Sequence, residues 1–124
     1  MLILPDTNFL IYLVKQKLFY QLDLFSPNYK FIVLDKIEEE LEKLAVKNDN
    51  AKVVLSVLDT MKKDKIISIV KVEGKADNAI IKTAEKHKTE NFAVATLDKE
   101  LINRLKKIHV KIIIIRARKK LEYF

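Results

Sequence analysis

Cysteine is absent from this chain of 124 residues, and glycine occurs once, at Gly74. Without cysteine there is neither a disulfide framework nor a thiolate zinc site, so a metal ion would need oxygen ligands or the two histidines. A single glycine also excludes the G-x-G-x-x-G motif and the P-loop, which cradle phosphates with glycine-rich backbone. Any chemistry must therefore come from other residue types.

Long apolar runs are missing as well, since no uninterrupted stretch approaches the roughly 20 apolar residues of a membrane span. The apolar segment 1–15 is broken by Pro5, Asp6 and Asn8, and it shows neither a basic leader nor a small-residue cleavage site. We therefore expect a cytoplasmic protein that does not bind a membrane.

Basic residues outnumber acidic ones, with 24 Lys and Arg against 17 Asp and Glu and a net charge of +7. This excess would attract polyanions, which makes nucleic acid the leading substrate class. A Lys- and Glu-rich composition is equally typical of heat-adapted proteins whatever they bind. The basic run from about residue 116 predicts a short C-terminal tail, either a flexible phosphate-binding arm or a solvated end.

Strand-like apolar runs alternate with helical patterns along the chain, and 49% hydrophobic residues suffice for one core. Strands are expected at 1–4, 30–34, 65–72, 92–96 and 110–116, and helices near 8–25, 36–47, 51–63, 77–88 and 99–107. This alternation predicts a single α/β domain over 1–124. Its architecture would be a three-layer α/β/α sandwich with a central parallel sheet of about five strands.

Two aspartates directly follow predicted strands, Asp6 after the first and Asp98 after the fourth. In an open α/β sheet, ligands bind beyond the carboxyl ends of the strands, so these positions are candidates for chemistry. Aspartate is also a favoured helix N-cap, because it accepts hydrogen bonds from free backbone N–H groups. Taken singly, either aspartate is explained as well by a cap.

Two further acids lie on predicted helices. In the first helix, Glu40 lies on the same side as an apolar stripe, whereas Glu39 faces away from it. In the next such helix, Asp77 lies on the apolar stripe itself. The stripe residues are Ile37, Leu41 and Leu44 in the first helix, and Ile80, Ile81 and Ala84 in the second. Both acids are thus expected to lean toward the core, where a charge needs a cation or hydrogen bonds. The alternative is an early position in the helix, favoured by the helix dipole and turned to water.

Together the four acids would converge on one edge of the sheet. Mutually repelling carboxylates in one cleft need a hard dication, and oxygen ligation suits Mg²⁺ or Mn²⁺. Such an ion activates water and neutralises a phosphodiester during hydrolysis. His87 and His109 are too widely separated to suggest an acid–base pair, so we assign them structural or solvated roles.

Four segments, LPDTNFLIYL, IEEELEKLA, GKADNAIIKTAEK and VATLDKEL, resemble the successive acidic motifs of PIN domains in order and spacing, over essentially the whole chain. The resemblance implies a Rossmann-like fold and an Mg²⁺- or Mn²⁺-dependent endoribonuclease. Its catalytic and metal-binding residues would be Asp6, Glu40, Asp77 and Asp98, with Asn8 and Thr96 in support.

The motifs are more similar to archaeal relatives that process ribosomal RNA than to typical VapC toxins. RNA is then the expected substrate, and a ribosome-assembly factor, an antitoxin or a second copy of the chain is the expected partner. Leu97 stands where Asn is frequent, and Asn78 stands where many relatives have a further Asp. The missing acid at position 78 leaves a second metal ion in question. A VapC-type toxin ribonuclease is the alternative within the family, and a non-catalytic PIN scaffold or a receiver-like phosphoacceptor domain is the alternative of another class. The receiver pattern fits less well, because the first strand is followed by one acid, not two.

Overall fold

Strands and helices alternate along residues 1–124, all of which the computed structural model describes. The strands are β1 (Leu2–Pro5), β2 (Lys30–Leu34), β3 (Ile67–Val70), β4 (Phe92–Ala95), β5 (Lys111–Arg116) and β6 (Lys120–Tyr123). The helices are α1 (Thr7–Lys15), α2 (Gln21–Phe25), α3 (Asp35–Ala45), α4 (Asp49–Lys63), α5 (Ala76–His87) and α6 (Lys99–Lys107). None of the helices combines the length and apolar character needed to cross a bilayer.

The strands form one sheet in the order β3-β2-β1-β4-β5-β6. Strands β1 to β5 are parallel, and β6 runs antiparallel to β5. This is the strand order of Rossmann-like folds, with the last strand reversed. The predicted α/β fold with a parallel sheet is confirmed, and the structure adds a sixth strand.

Helices cover both faces of the sheet. Helices α1, α3 and α4 pack on one another, and α5 packs on α6. Because the chain moves in opposite directions along the sheet before and after β3, right-handed crossovers place these two groups on opposite faces. The central strands are consequently buried on both sides, and Ile3, Val33, Val94 and Ile113 have no exposed surface. The result is the predicted three-layer arrangement.

Two segments differ from the sequence-based expectation. The helix predicted over 8–25 is divided into α1 and α2, because Lys17 adopts a left-handed conformation with φ of 57° and ends the first helix. The segment from about 116, expected to be a basic tail, forms a hairpin with β5 and completes the sheet as β6. Four residues of alternating polarity are too short a signal to identify a strand, whereas the free edge of β5 provides hydrogen-bond partners for them.

Candidate active site

The carboxyl ends of β1 and β4 meet at the point where the strand order changes direction. From β1 the chain continues to β2 and β3 on one side, and later returns to β4 and β5 on the other. Pro5 pairs with Ala95, and the next residue, Asp6, donates its backbone N–H to the carbonyl of Ala95 at 2.9 Å. In open α/β sheets, ligands bind in the crevice at this switch point. Asp6 therefore lies at the position the fold offers for a site.

Asp6 is held by both of its carboxylate oxygens. Its Oδ1 accepts a hydrogen bond from the backbone N–H of Thr7 at 2.8 Å, as the N-cap of α1. Its Oδ2 accepts one from the hydroxyl of Thr96 at 3.2 Å. Asp6 therefore does cap a helix, as the sequence allowed, but capping accounts for only one of its two carboxylate oxygens.

Thr96 links the two strand-end aspartates. Its fully buried hydroxyl donates to Asp6 and accepts a hydrogen bond from the backbone N–H of Asp98 at 3.1 Å. Asp98 caps α6, because its Oδ1 accepts from the N–H groups of Glu100 and Leu101 at 2.9 and 3.1 Å. The other oxygen of Asp98 makes no hydrogen bond, so it is free for a ligand. The predicted supporting residue Thr96 thus lies between two of the predicted acids.

Glu40 reaches the same edge from α3. Its Oε2 accepts a hydrogen bond from the hydroxyl of Thr7 at 3.1 Å, although the two residues are 33 positions apart. Thr7 is 1% exposed, so this hydroxyl is buried directly beneath the acids. Thr7 is a site residue that neither the apolar periodicity nor the acidic motifs indicate. The available signal was a polar residue directly after Asp6 at the start of an otherwise apolar helix.

The expectation that Glu40 and Asp77 lean toward the core is wrong, because both residues are exposed. Ile37 and Leu41 are fully buried as predicted, whereas Leu44 is 37% exposed, so the stripe on α3 reaches less far than its periodicity indicates. Glu40 extends along the rim to Thr7 instead. Asp77 lies in the first turn of α5, where the helix dipole favours an acid turned to water.

The pKa of Asp6 reflects its burial, its hydrogen bonds and the charges near it. Burial is the largest influence and raises this pKa, the hydrogen bonds from Thr7 and Thr96 lower it, and the negative charges of Asp77 and Glu40 raise it. The net effect is a pKa above the ordinary aspartate value of 3.8. The negative charges of Asp77 and Glu40 therefore add to the cost of ionising Asp6.

No group of three or more acidic or histidine side chains is close enough to hold a metal ion in this arrangement. Asp98 is engaged as a cap, Glu40 is bound to Thr7, and Asp77 extends from a separate helix. The set nevertheless fits Mg²⁺ or Mn²⁺ chemically, since all its ligand atoms are carboxylate oxygens and their repulsion is relieved by a cation. Side-chain rotation at the exposed positions would be needed to enclose an ion.

Three other predicted residues lie outside this arrangement. Asn8 is exposed and makes no hydrogen bond to the acids. His87, at the end of α5, contacts Glu90 at 2.5 Å and stacks on Phe92 with a centroid distance of 5.4 Å. His109 lies in the turn before β5 with φ of 60°. Neither histidine contacts an acid of the site, in keeping with the structural or solvated roles predicted for them.

Comparison with known proteins extends these observations. The family described as "PIN like domain" matches residues 3–118. Ribonuclease VapC4 of Methanocaldococcus jannaschii is 35% identical over 127 residues, which covers 98% of this chain and 95% of that protein. A chain in the crystal structure of VapBC2 from Rickettsia felis bound to a DNA fragment from their promoter has a similar fold. The match covers 92% of this chain and 98% of that chain. Its TM-score of 0.55 at 16% identity supports the fold alone. Since the family match and the VapC4 alignment both span nearly the whole sequence, this chain belongs to the PIN-domain family.

Proposed function

We propose that this protein is an endoribonuclease of the VapC type that depends on Mg²⁺ or Mn²⁺. One observation carries the proposal: Asp6 lies at the switch point of the sheet, where the hydroxyl of Thr96 joins it to Asp98 and the charges of Asp77 and Glu40 act on it. Carboxylates arranged against their own repulsion in a cleft favour the binding of a cation. The 35% identity to a protein named Ribonuclease VapC4 supports RNA as the substrate.

Each residue of the site has a distinct role in this proposal. Asp6, Glu40 and Asp77 would hold the ion, and Asp98 would add its free oxygen. The hydroxyls of Thr96 and Thr7 orient Asp6 and Glu40 through the hydrogen bonds described above. A divalent ion bound there supplies the positive charge that neutralises a phosphodiester and activates water for attack on phosphorus. Asn8, exposed two residues after Asp6, would support the site by contacting RNA and not the acids.

The comparisons favour a toxin-type role over ribosomal RNA processing. The sequence motifs alone were more similar to the processing group, whereas the relative matched over nearly the full length is a VapC ribonuclease. We therefore propose an antitoxin as protein partner, encoded beside this chain. A processing enzyme would instead associate with ribosomal precursors, and genomic neighbourhood distinguishes the two roles.

The direct test is incubation of labelled single-stranded RNA with Mn²⁺, with Mg²⁺ and with EDTA. We expect cleavage with either ion and none with EDTA, leaving 5′-phosphate and 3′-hydroxyl ends, because the ion activates water in place of the ribose hydroxyl. Asp6→Asn serves as the inactive control. Cleavage that persists in EDTA, or products ending in 2′,3′-cyclic phosphate, would contradict the metal-dependent mechanism. Intact RNA under every condition would favour a non-catalytic scaffold.

A further inference from the structure

The turn between β5 and β6 is strongly basic. Arg116, Arg118, Lys119 and Lys120 lie in it without an intervening acid, and residues 116–120 are called the basic hairpin turn below. The N–H of Lys119 donates to the carbonyl of Arg116 at 3.1 Å, and Ala117 and Arg118 have φ of 53° and 61°. Two successive left-handed residues closed by this bond form a type I′ turn.

The basic hairpin turn is fixed in place. Type I′ turns favour Asn and Gly, so an alanine followed by an arginine adopts this conformation only when surrounding contacts hold it. Gln21 of α2 provides these contacts: its Nε2 donates to the carbonyl of Lys119 at 2.6 Å, and its Oε1 accepts from the N–H of Leu121 at 3.2 Å. Leu121 is itself only 3% exposed. The cations are therefore carried by an ordered hairpin whose β6 side is anchored to α2.

The position of the basic hairpin turn relates it to the acidic site. Strand β5 is parallel to β4, with Ile113 opposite Ala95, so β5 continues three residues past the end of β4 on the same edge of the sheet. At about 3.3 Å per residue, the turn rises about 10 Å beyond that end. Strand spacing of about 4.8 Å places it about 10 Å to the side of the crevice between β1 and β4.

The charges of this turn are largely uncompensated. Arg116 forms an ion pair with Glu122, but no carboxylate pairs with Arg118, Lys119 or Lys120, all of which are exposed. Carboxylates at the neighbouring site repel phosphate, whereas unpaired cations on an ordered turn attract it, and arginine binds it in a bidentate manner. We propose that the basic hairpin turn binds backbone phosphates of single-stranded RNA beside the acidic site. This inference rests on the proposed function for the identity of the polyanion.

The test measures RNA affinity by fluorescence anisotropy in EDTA, so that binding is read without cleavage. The variant is Arg118→Ala/Lys119→Ala. Its matched control is Lys63→Ala/Lys65→Ala, which removes the same charge at the opposite edge and also alters one left-handed residue, since Lys65 has φ of 60°. Loss of two phosphate contacts should reduce the slope of log affinity against log salt by about 1.4 for a single strand. The ratio of the parent's RNA affinity to that of the variant should then be about sevenfold smaller at 200 mM salt than at 50 mM salt.

The control should keep the parental slope, and the charge-conserving variant Arg118→Lys/Lys119→Arg should retain affinity. Equal losses in the hairpin and control variants, no loss in the hairpin variant, or no RNA binding by the parent would each overturn the inference. Cleavage by the parent with an unaffected hairpin variant would remove this inference and leave the proposed function intact. RNA binding that depends on the turn, without any cleavage by the parent, would support this inference and overturn the proposed function.

Discussion

The strand side and the helix side of the acidic site are held very differently. On the strand side, Asp6 and Asp98 follow parallel strands and are joined by the buried hydroxyl of Thr96. On the helix side, Glu40 and Asp77 are exposed, and only Glu40 makes a hydrogen bond, to Thr7. Sheet backbone therefore positions one half of the site, whereas side-chain rotamers position the other.

This contrast separates fixed from adjustable ligands. Desolvation and repulsion raise the pKa of Asp6, which the sheet holds in place, while the exposed acids remain solvated and can rotate. For a cation, Asp6 and Asp98 would be ligands already held in place, whereas Glu40 and Asp77 would have to turn toward it. Activity should consequently depend on charge at the helix side and on hydrogen bonding at the strand side.

The largest expected effect tests the adjustable side through two adjacent glutamates. Glu40→Gln removes a proposed ligand but keeps an acceptor for the hydroxyl of Thr7, so cleavage should fall at least about 100-fold while folding survives, since even groups behind metal ligands contribute about 10- to 100-fold. The metal-free variant should melt slightly higher, because repulsion around Asp6 is relieved. Glu39→Gln is the matched control, exposed and without a partner in the site, and should cleave like the parent.

If the two glutamine variants were equally active, or if Glu39 alone were required, the assignment of Glu40 to the functional face of α3 would be wrong.

A second, intermediate effect compares the two buried threonines. Thr96→Val leaves Oδ2 of Asp6 without its donor and the N–H of Asp98 without its acceptor, which should cost about 1–3 kcal/mol of unfolding free energy. Thr7→Val removes a bond to the exposed carboxylate of Glu40, which water can replace, so the cost should stay below about 1 kcal/mol. Urea denaturation without metal measures both. A larger loss for Thr7→Val would reverse the assignment of the ordered side.

The smallest effect is the pH dependence of stability conferred by Asp6. Because its native pKa is raised chiefly by burial, folding is penalised when the carboxylate is ionised. That penalty is complete at neutral pH, decreases as pH falls through the raised native pKa, and is absent below the ordinary value of 3.8. Metal-free Asp6→Asn should therefore gain stability over the parent at pH 7 and lose this advantage on acidification. Urea unfolding curves of the parent and Asp6→Asn across this pH range measure the difference in unfolding free energy. A stability advantage of the variant that grew at low pH would contradict the expected sign.

Much of the fold and part of the site follow from local sequence patterns. Consecutive apolar residues at 30–34 and 92–96 predicted buried strands close to the observed β2 and β4. The motif comparison also placed Thr96 in the site, where its hydroxyl contacts Asp6. The metal-binding roles of Asp6, Glu40, Asp77 and Asp98 remain predictions, which the variants above address.

Other features depend on residues that are distant in the sequence, so they could not be predicted from local patterns. Thr7 becomes a site residue only because α3 brings Glu40 to its hydroxyl, and helical periodicity alone does not reveal that the face of Glu40 is exposed. The strand character of 120–123 likewise requires the edge of β5 and the side chain of Gln21. Such contacts join residues far apart along the chain, where local propensity carries no signal.

The sequence by itself determined the alternation of strands and helices, the excess of positive charge, the carboxylates available to a metal and their order along the chain. These are properties of short segments, since periodicity and composition act over a few residues. Only the tertiary structure decided which acids are ordered and which are solvated, because burial and hydrogen bonding depend on strand order and helix packing. It also decided that the last basic residues project from a hairpin at the same edge of the sheet as the acids, since that position exists only once β6 has paired with β5.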